Sequence, residues 1–125
     1  YIYVDGIFER SFLDGLKGKF QEGAVALDIG ANIGNHAIYL SHDFAEIHCF
    51  EPNPHAVERL QQNLSLNRAT HIKVHPVGLG SEDAVLPFRE NLDGNLGNSG
   101  FVDDVSPVQN SAITYLPVKR GDNYV

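Results

Sequence analysis

The stretch ALDIGANIGNH, residues 26–36, decides the fold. It begins as a short apolar run, passes through one acid, Asp28, and ends in a turn that contains Gly30 and Gly34. A short apolar run bounded by glycines, here AVALDI (24–29), is typical of a strand that is buried on both faces. Glycine lets the chain turn out of such a strand because it has no Cβ. The stretch therefore predicts a buried strand, a tight turn and the start of a helix.

Alternating strands and helices follow this turn. The segment IGNHAIYLSH (33–42) has helical spacing, and EIHCFE (46–51) reads as a second strand. In NPHAVERLQQNLSLN (53–67), Asn53 is a good N-cap and the apolar residues recur at helical spacing. HIKVHPVGL (71–79) is predicted to be a third strand. Short linkers between these elements predict parallel strands joined by right-handed crossovers.

The two ends of the chain have a different character. Apolar residues near helical spacing over 7–20 predict an amphipathic helix. The extended runs AVLPFRE (84–90) and AITYLPVKR (112–120) flank a segment rich in Gly, Asn, Asp and Ser, which predicts a hairpin-like excursion with a long loop. The prediction is one α/β domain over residues 1–125, with a helical lead-in (1–22), a βαβαβ core (23–80) and a hairpin-like segment (81–125).

The composition of the chain argues against several classes of partner and site. A net charge of −7 argues against a broad electrostatic surface for nucleic acid or an anionic membrane. No apolar run approaches the roughly 20 residues that span a bilayer, and the start YIYVDGIFER does not read as a signal peptide. Cys49 is the only cysteine, which favours a reducing, cytoplasmic location. The six histidines lack metal-ligand spacing, so no metal site is predicted.

The turn after the first strand favours one of two adenosyl ligands. A dinucleotide site would place a second glycine where Asn32 stands, so that a pyrophosphate could approach the backbone. Asp28 is expected to point into the same mouth as the ligand, where it would repel phosphates and attract positive charge. S-adenosylmethionine carries a sulfonium and an ammonium group. Glu51, about twenty residues after Gly30, suits the ribose hydroxyls of either ligand.

The segments VALDIGANIGNHAIYLS (25–41), IHCFEPNPHAVERLQQNLSLN (47–67) and HPVGLGSEDAVLPF (75–88) resemble the FkbM-type methyltransferases, which use S-adenosylmethionine. YLPVKRGDNY (115–124) resembles the segment that leads to the fourth main strand of that family. The resemblance implies the Rossmann-like, doubly wound parallel sheet of class I methyltransferases. It also implies that this chain holds the N-terminal, cofactor-binding half of that fold. By itself the chain is expected to be inactive, since the acceptor side of the family lies further along the sequence.

The resemblance also implies a set of cofactor-binding residues. On the methionine side these would be Asp28, Gly30, Ala31, Asn32 and Gly34, and on the adenosyl side Glu51, Pro52, Asn53, Gly78, Leu79 and Ser81. The family often has an acid where Ser81 stands, so a carboxylate contact from that position is missing here. The implied reaction is O-methylation of a hydroxyl on a small molecule, a sugar or a natural product. No catalytic residue is assigned, and His36 is given a surface or packing role in preference to that of a base.

Two alternatives of other classes remain open at this point. The first is a nicotinamide-dinucleotide oxidoreductase domain, which predicts a pyrophosphate between Gly30 and Gly34. The second is a non-catalytic fragment or interaction module that keeps the turn without the activity. The predicted partner in the main hypothesis is a small-molecule methyl acceptor, with no nucleic acid and no membrane.

Overall fold

The opening stretch folds as a strand, a turn and a helix. The structure is a computed structural model, and it describes residues 19–93 and 99–124. Strand β1 covers Val25–Ile29 and helix α1 covers Asn35–Tyr39. Helix α1 is shorter than predicted because Leu40 leaves the helical conformation, and a single 3-10 turn, Ser41–Asp43, follows. The helix predicted over residues 7–20 lies outside the described residues, except for its last two positions, which are not helical.

The second helical unit is bounded by the predicted caps. Strand β2 covers Glu46–Phe50, helix α2 covers Pro54–Leu66 and strand β3 covers Ile72–His75. The side chain of Asn53 accepts the backbone N–H of His55 at 3.0 Å, which satisfies one free donor at the start of α2. At the other end, the side-chain amide of Asn67 donates to the carbonyl of Asn63 at 2.8 Å. The predicted start and stop of α2 are both confirmed.

The three strands form a parallel sheet in the order β1-β2-β3. Asp28 on β1 pairs with Cys49 on β2, and Phe50 on β2 pairs with His75 on β3. One face of this sheet packs against both helices. Its core consists of Ala31, Ala37, Ile47, Cys49, Leu60, Leu64 and Ile72. The βαβαβ arrangement places the carboxyl ends of all three strands at one edge, where ligands bind in open parallel sheets.

Strand β1 is not buried on both faces, contrary to the prediction. Val25 and Ile29 are 59% and 63% exposed. They alternate with Ala26 and Asp28 along the strand, so they point to the face that the helices do not cover. Because β1 is also the edge strand of its sheet, this side of Val25 and Ile29 has little cover within the described ranges.

A second sheet follows almost directly from the first. Its strands are β4 (Gly78–Gly80), β5 (Ala84–Asn91), β6 (Gly100–Phe101) and β7 (Ser111–Arg120), in the order β4-β7-β5-β6. Strands β5 and β7 are antiparallel, which confirms the predicted hairpin-like excursion. Strand β4 is parallel to β7, and only two residues separate it from β3. This short link brings the second sheet against the carboxyl edge of the first.

None of the helices in the described part of the chain is long and apolar enough to cross a membrane.

Candidate functional site

Glu51 is the best-anchored acid at the carboxyl edge of the parallel sheet. It follows β2 directly and is 7% exposed. Its Oε1 accepts the backbone N–H of Asn32 at 2.8 Å, and its Oε2 accepts the backbone N–H of Asn53 at 2.9 Å. The carboxylate therefore joins the turn after β1 to the residue that caps α2. Backbone donors of this kind give strong hydrogen bonds to an ionised acceptor.

The surroundings of Glu51 have opposing effects on its pKa. Burial raises the pKa of this carboxyl group, and the two backbone N–H groups, from Asn53 and Asn32, oppose that rise. The negative charge of nearby Asp28 raises the pKa further. Each oxygen of an ionised carboxylate has about two acceptor directions, so Glu51 can accept further hydrogen bonds beside the two that it already holds.

A cleft of about 270 Å³ lies beside Glu51. It is lined by residues from both sheets, and six of them belong to the predicted cofactor set: Gly30, Asn32, Glu51, Pro52, Gly78 and Leu79. The remaining lining residues are Ile29, Phe50, Phe88, Ser99, Gly100 and Phe101. The structure thus brings together the strand-end acid, the turn after β1 and the start of β4, which the sequence places far apart.

Asn32 supplies an unpartnered acceptor at this cleft. Its φ of 53° lies in the left-handed region, between the left-handed Gly30 and Gly34. Asparagine tolerates this conformation better than most residues with a side chain. The backbone N–H of Asn32 is held by Glu51, but its buried Oδ1 has no hydrogen-bond partner among the described residues. A buried polar atom without a partner costs free energy unless a ligand or a water satisfies it.

Asp28 lies in a different cavity, of about 470 Å³. His36 lines the same cavity, and the rest of its lining is apolar: Phe20, Ala24, Val25, Ala26, Leu27, Ala37, Leu40, Phe44 and Ile47. Asp28 and Glu51 therefore do not share one mouth, contrary to the expectation from sequence. The reason is the alternation along β1, which turns Asp28 toward the helices.

The carboxyl group of Asp28 is only partly satisfied. Burial raises its pKa above the ordinary 3.8, and the positive charge that His36 can carry opposes the rise. Its Oδ2 is buried without a hydrogen-bond partner among the described residues. An ionised carboxylate in this position gains from a cation that approaches the carboxyl end of β1.

Four other predicted residues shape the turn or lie outside both cavities. The methyl group of Ala31 packs in the hydrophobic core. Gly34 is packed against α2, where a Cβ would lie 2.5 Å from Cδ1 of Leu60. Asn53 is 2% exposed and caps α2, and Ser81 is exposed beyond the cleft. Gly34 is therefore required by the close approach of the two helices, whether or not a ligand binds.

The side chains that the sequence interpretation missed come mainly from the second sheet. Phe88 and Phe101 line the cleft from neighbouring antiparallel strands. No local pattern marks a strand of two residues such as β6, because its conformation depends on pairing with β5. Among the described residues, no group of three or more His, Cys, Asp and Glu side chains is placed to hold a metal ion.

Two curated relatives match this chain in sequence. Methyltransferase 1 of Beauveria bassiana (strain ARSEF 2860) is 32% identical in an alignment of 98 positions that covers 74% of this chain and 39% of that protein. Methyltransferase sdnD of Sordaria araneosa is 39% identical in an alignment of 74 positions that covers 55% of this chain and 29% of that protein. This chain thus spans less than half the length of either relative. No protein-family model matches it.

Solved structures of low sequence identity share the fold. The methyltransferase FkbM of Methylobacillus flagellatus KT superposes with a TM-score of 0.51 at 24% identity, over 79% of this chain and 27% of that chain. An rRNA methylase of Streptococcus thermophilus gives a TM-score of 0.50 at 18% identity, over 54% of this chain and 41% of that chain. The fold is the Rossmann-like α/β fold of class I methyltransferases, which confirms the predicted fold class.

Proposed function

We propose that this chain is the cofactor-binding part of an S-adenosylmethionine-dependent methyltransferase. The observation that carries the proposal is Glu51, fixed by two backbone N–H groups at the end of β2 and beside a cleft at the carboxyl edge of the sheet. Ligands bind at this edge in open parallel sheets, and a strand-end acid is suited to ribose hydroxyls. The names of the two sequence relatives support the same class of reaction.

The residues present fit such a cofactor. Glu51 would accept the ribose hydroxyls with its remaining acceptor directions, and Gly78 and Leu79 would lie along the adenine. The unpartnered Oδ1 of Asn32 is an acceptor for a ligand donor at the same cleft. Asp28 would attract the α-ammonium group from the neighbouring cavity. When bound, S-adenosylmethionine supplies an electrophilic methyl group, and the role of these side chains is to hold and orient it.

The proposed acceptor is a hydroxyl group on a small molecule, a sugar or a natural product, as in the FkbM-type enzymes that the sequence resembles. The same fold also serves an rRNA methylase, so the fold by itself does not favour a small molecule over RNA. The exclusion of nucleic acid rests on the net charge of −7 and stays a prediction. None of the described side chains is assigned as the base that activates the hydroxyl.

Calorimetric titration of the chain with S-adenosylhomocysteine and with NAD tests this proposal against its main rival. The expected result is saturable binding of S-adenosylhomocysteine and no measurable binding of NAD, because Asn32 stands where a dinucleotide turn needs a glycine for the close approach of the pyrophosphate. Binding of NAD without S-adenosylhomocysteine would identify a dinucleotide domain. Binding of neither ligand would favour the non-catalytic interaction module.

A further inference from the structure

The cleft beside Glu51 has a wall that comes from the antiparallel sheet. Phe88, Ser99, Gly100 and Phe101 all line it, although none of them belongs to the βαβαβ part of the fold. Phe88 on β5 pairs directly with Phe101 on β6, so the two rings lie on the same face of their sheet. This face is the one turned toward the cleft. The cleft is therefore closed on one side by aromatic groups that strand-end reasoning does not predict.

Phe101 is the exposed member of this aromatic pair. Phe88 is 4% exposed, whereas Phe101 keeps 38% of its surface accessible. Their ring centroids are 5.2 Å apart and their planes meet at 85°, which is the edge-to-face arrangement that aromatic pairs prefer. Phe88 thus anchors Phe101 from the interior, and Phe101 presents apolar surface at the cleft.

A second contact fixes the ring of Phe101 from the side of β4. A Cβ on Gly78 would lie 2.8 Å from Cε2 and 3.1 Å from Cζ of Phe101, so the ring edge occupies the space that any other residue would fill. Gly78 was predicted to lie beside the adenine, and this contact gives it a second role as the seat of an aromatic ring. The ring of Phe101 therefore lies between Phe88 on one side and the backbone of Gly78 on the other.

We propose that Phe101 is a binding residue for the adenine of the cofactor, and that the base packs against its exposed surface. The inference rests on the proposed function, since it deepens the assignment of the same cleft. Glu51 and Phe101 line one cleft, as required if the ribose is held by the acid while the attached base meets an apolar aromatic surface. A purine satisfies both requirements, and its flat ring gains from aromatic packing whichever hydrogen bonds it makes.

Titration of wild type and Phe101→Ala with S-adenosylhomocysteine and with adenosine tests this assignment. Packing of a base against an aromatic ring contributes substantially to affinity, so removal of the ring should weaken the binding of each ligand by roughly 5- to 100-fold. The factor should be similar for the two ligands because both carry the adenine. Phe101→Leu, which keeps apolar bulk, should fall between the two proteins. Tyr115→Ala is the matched control, since it removes an exposed aromatic ring from the same sheet outside the cleft, and it should bind like wild type.

A measurement on the wild-type chain covers the case in which Phe101→Ala fails to fold. With ring-labelled phenylalanine, NMR should show proton contacts between the adenine and one phenylalanine ring, and Phe101→Leu should remove them. If wild type binds S-adenosylhomocysteine while Phe101→Ala binds it equally well, or if the adenine shows no contact to a phenylalanine ring, the role of Phe101 is wrong and the proposed function stands. If wild type does not bind S-adenosylhomocysteine, both are wrong.

Discussion

Asp28 and Glu51, the two acids near the turn after β1, differ in their hydrogen bonds. Glu51 gives each of its oxygens to a backbone N–H, from Asn32 and from Asn53. Asp28 keeps a buried oxygen without a partner in the described part of the chain, and burial raises the pKa of both acids. The comparison shows that Glu51 belongs to the hydrogen bonding of the fold, whereas Asp28 has a buried oxygen that no described group satisfies. Glu51 should matter for stability and binding together, whereas Asp28 should matter for binding at the expense of stability.

The largest effect is expected from Glu51→Ala. The substitution leaves the backbone N–H groups of Asn32 and Asn53 without their acceptor in a buried site. Hydrogen bonds to charged groups contribute about 1.5–3 kcal/mol each, and removal of the carboxyl group returns part of this sum because its burial is unfavourable. The free energy of unfolding should therefore fall by about 2–4 kcal/mol. Urea denaturation followed by circular dichroism measures this change, and binding of S-adenosylhomocysteine should be lost as well.

Glu58→Ala is the control for this experiment, because Glu58 is exposed on α2 and has no part in the cleft. It should leave both unfolding and ligand binding close to those of wild type. If Glu51→Ala were as stable as the control, the two backbone hydrogen bonds would not hold the turn, and the contrast between the two acids would be lost.

Asp28→Asn should lower the affinity for the cofactor without lowering the stability of the fold. The substitution keeps the shape of the side chain and removes a buried charge, so stability at pH 7 should be unchanged or higher by about 1 kcal/mol. Affinity for S-adenosylhomocysteine should fall by about tenfold, as expected for the loss of one charge-assisted contact. Denaturation of the variant and of wild type measures the change in stability, and calorimetric titration measures the change in affinity. A variant that loses stability without losing affinity would give Asp28 the structural role assigned to Glu51.

The pH dependence of stability and of ligand binding tests the role of Asp28 further. Because the pKa of Asp28 is raised in the folded chain, its protonation favours folding, and the unfavourable effect of its charge is complete above the folded pKa and disappears as the pH falls to the ordinary value. The stability advantage of Asp28→Asn over wild type should therefore shrink as the pH falls toward the ordinary aspartate value of 3.8. Over the same interval wild type should lose affinity for S-adenosylhomocysteine more steeply than the variant. An advantage that grows at low pH would contradict the assignment.

The smallest expected effect is on Cys49, which pairs with Asp28 in the sheet. Burial, together with the charge of Asp28, raises the pKa of this thiol to about 12, so the folded chain should react very slowly with a disulfide reagent at pH 8. Asp28→Asn should leave this reaction slow, whereas Glu51→Ala should accelerate it by populating the unfolded state. Fast labelling of Asp28→Asn would show that the substitution opens the sheet.

Much of the parallel half could be predicted because its signals are local. Asn53 before Pro54 marks the start of α2, and an acid directly after an apolar run places Glu51 at the strand end. The burial of β1 could not be predicted in this way, because it depends on which elements cover its second face. The roles of Asp28 and Phe101 depend on the direction of a side chain and on pairing between strands that are remote from the turn in sequence. Such features follow from tertiary structure, and composition and periodicity do not report them.

The most direct test of the central claim compares two ligands on two proteins. Wild type and Asp28→Asn would be titrated with S-adenosylhomocysteine and with an analogue that lacks only the α-amino group. If Asp28 binds the ammonium group while Glu51 binds the ribose, the substitution should weaken the binding of S-adenosylhomocysteine by about tenfold. The affinity for the analogue should stay unchanged. An equal loss for both ligands would contradict this account, because it would place the effect of Asp28 in the fold and not in the recognition of the cofactor.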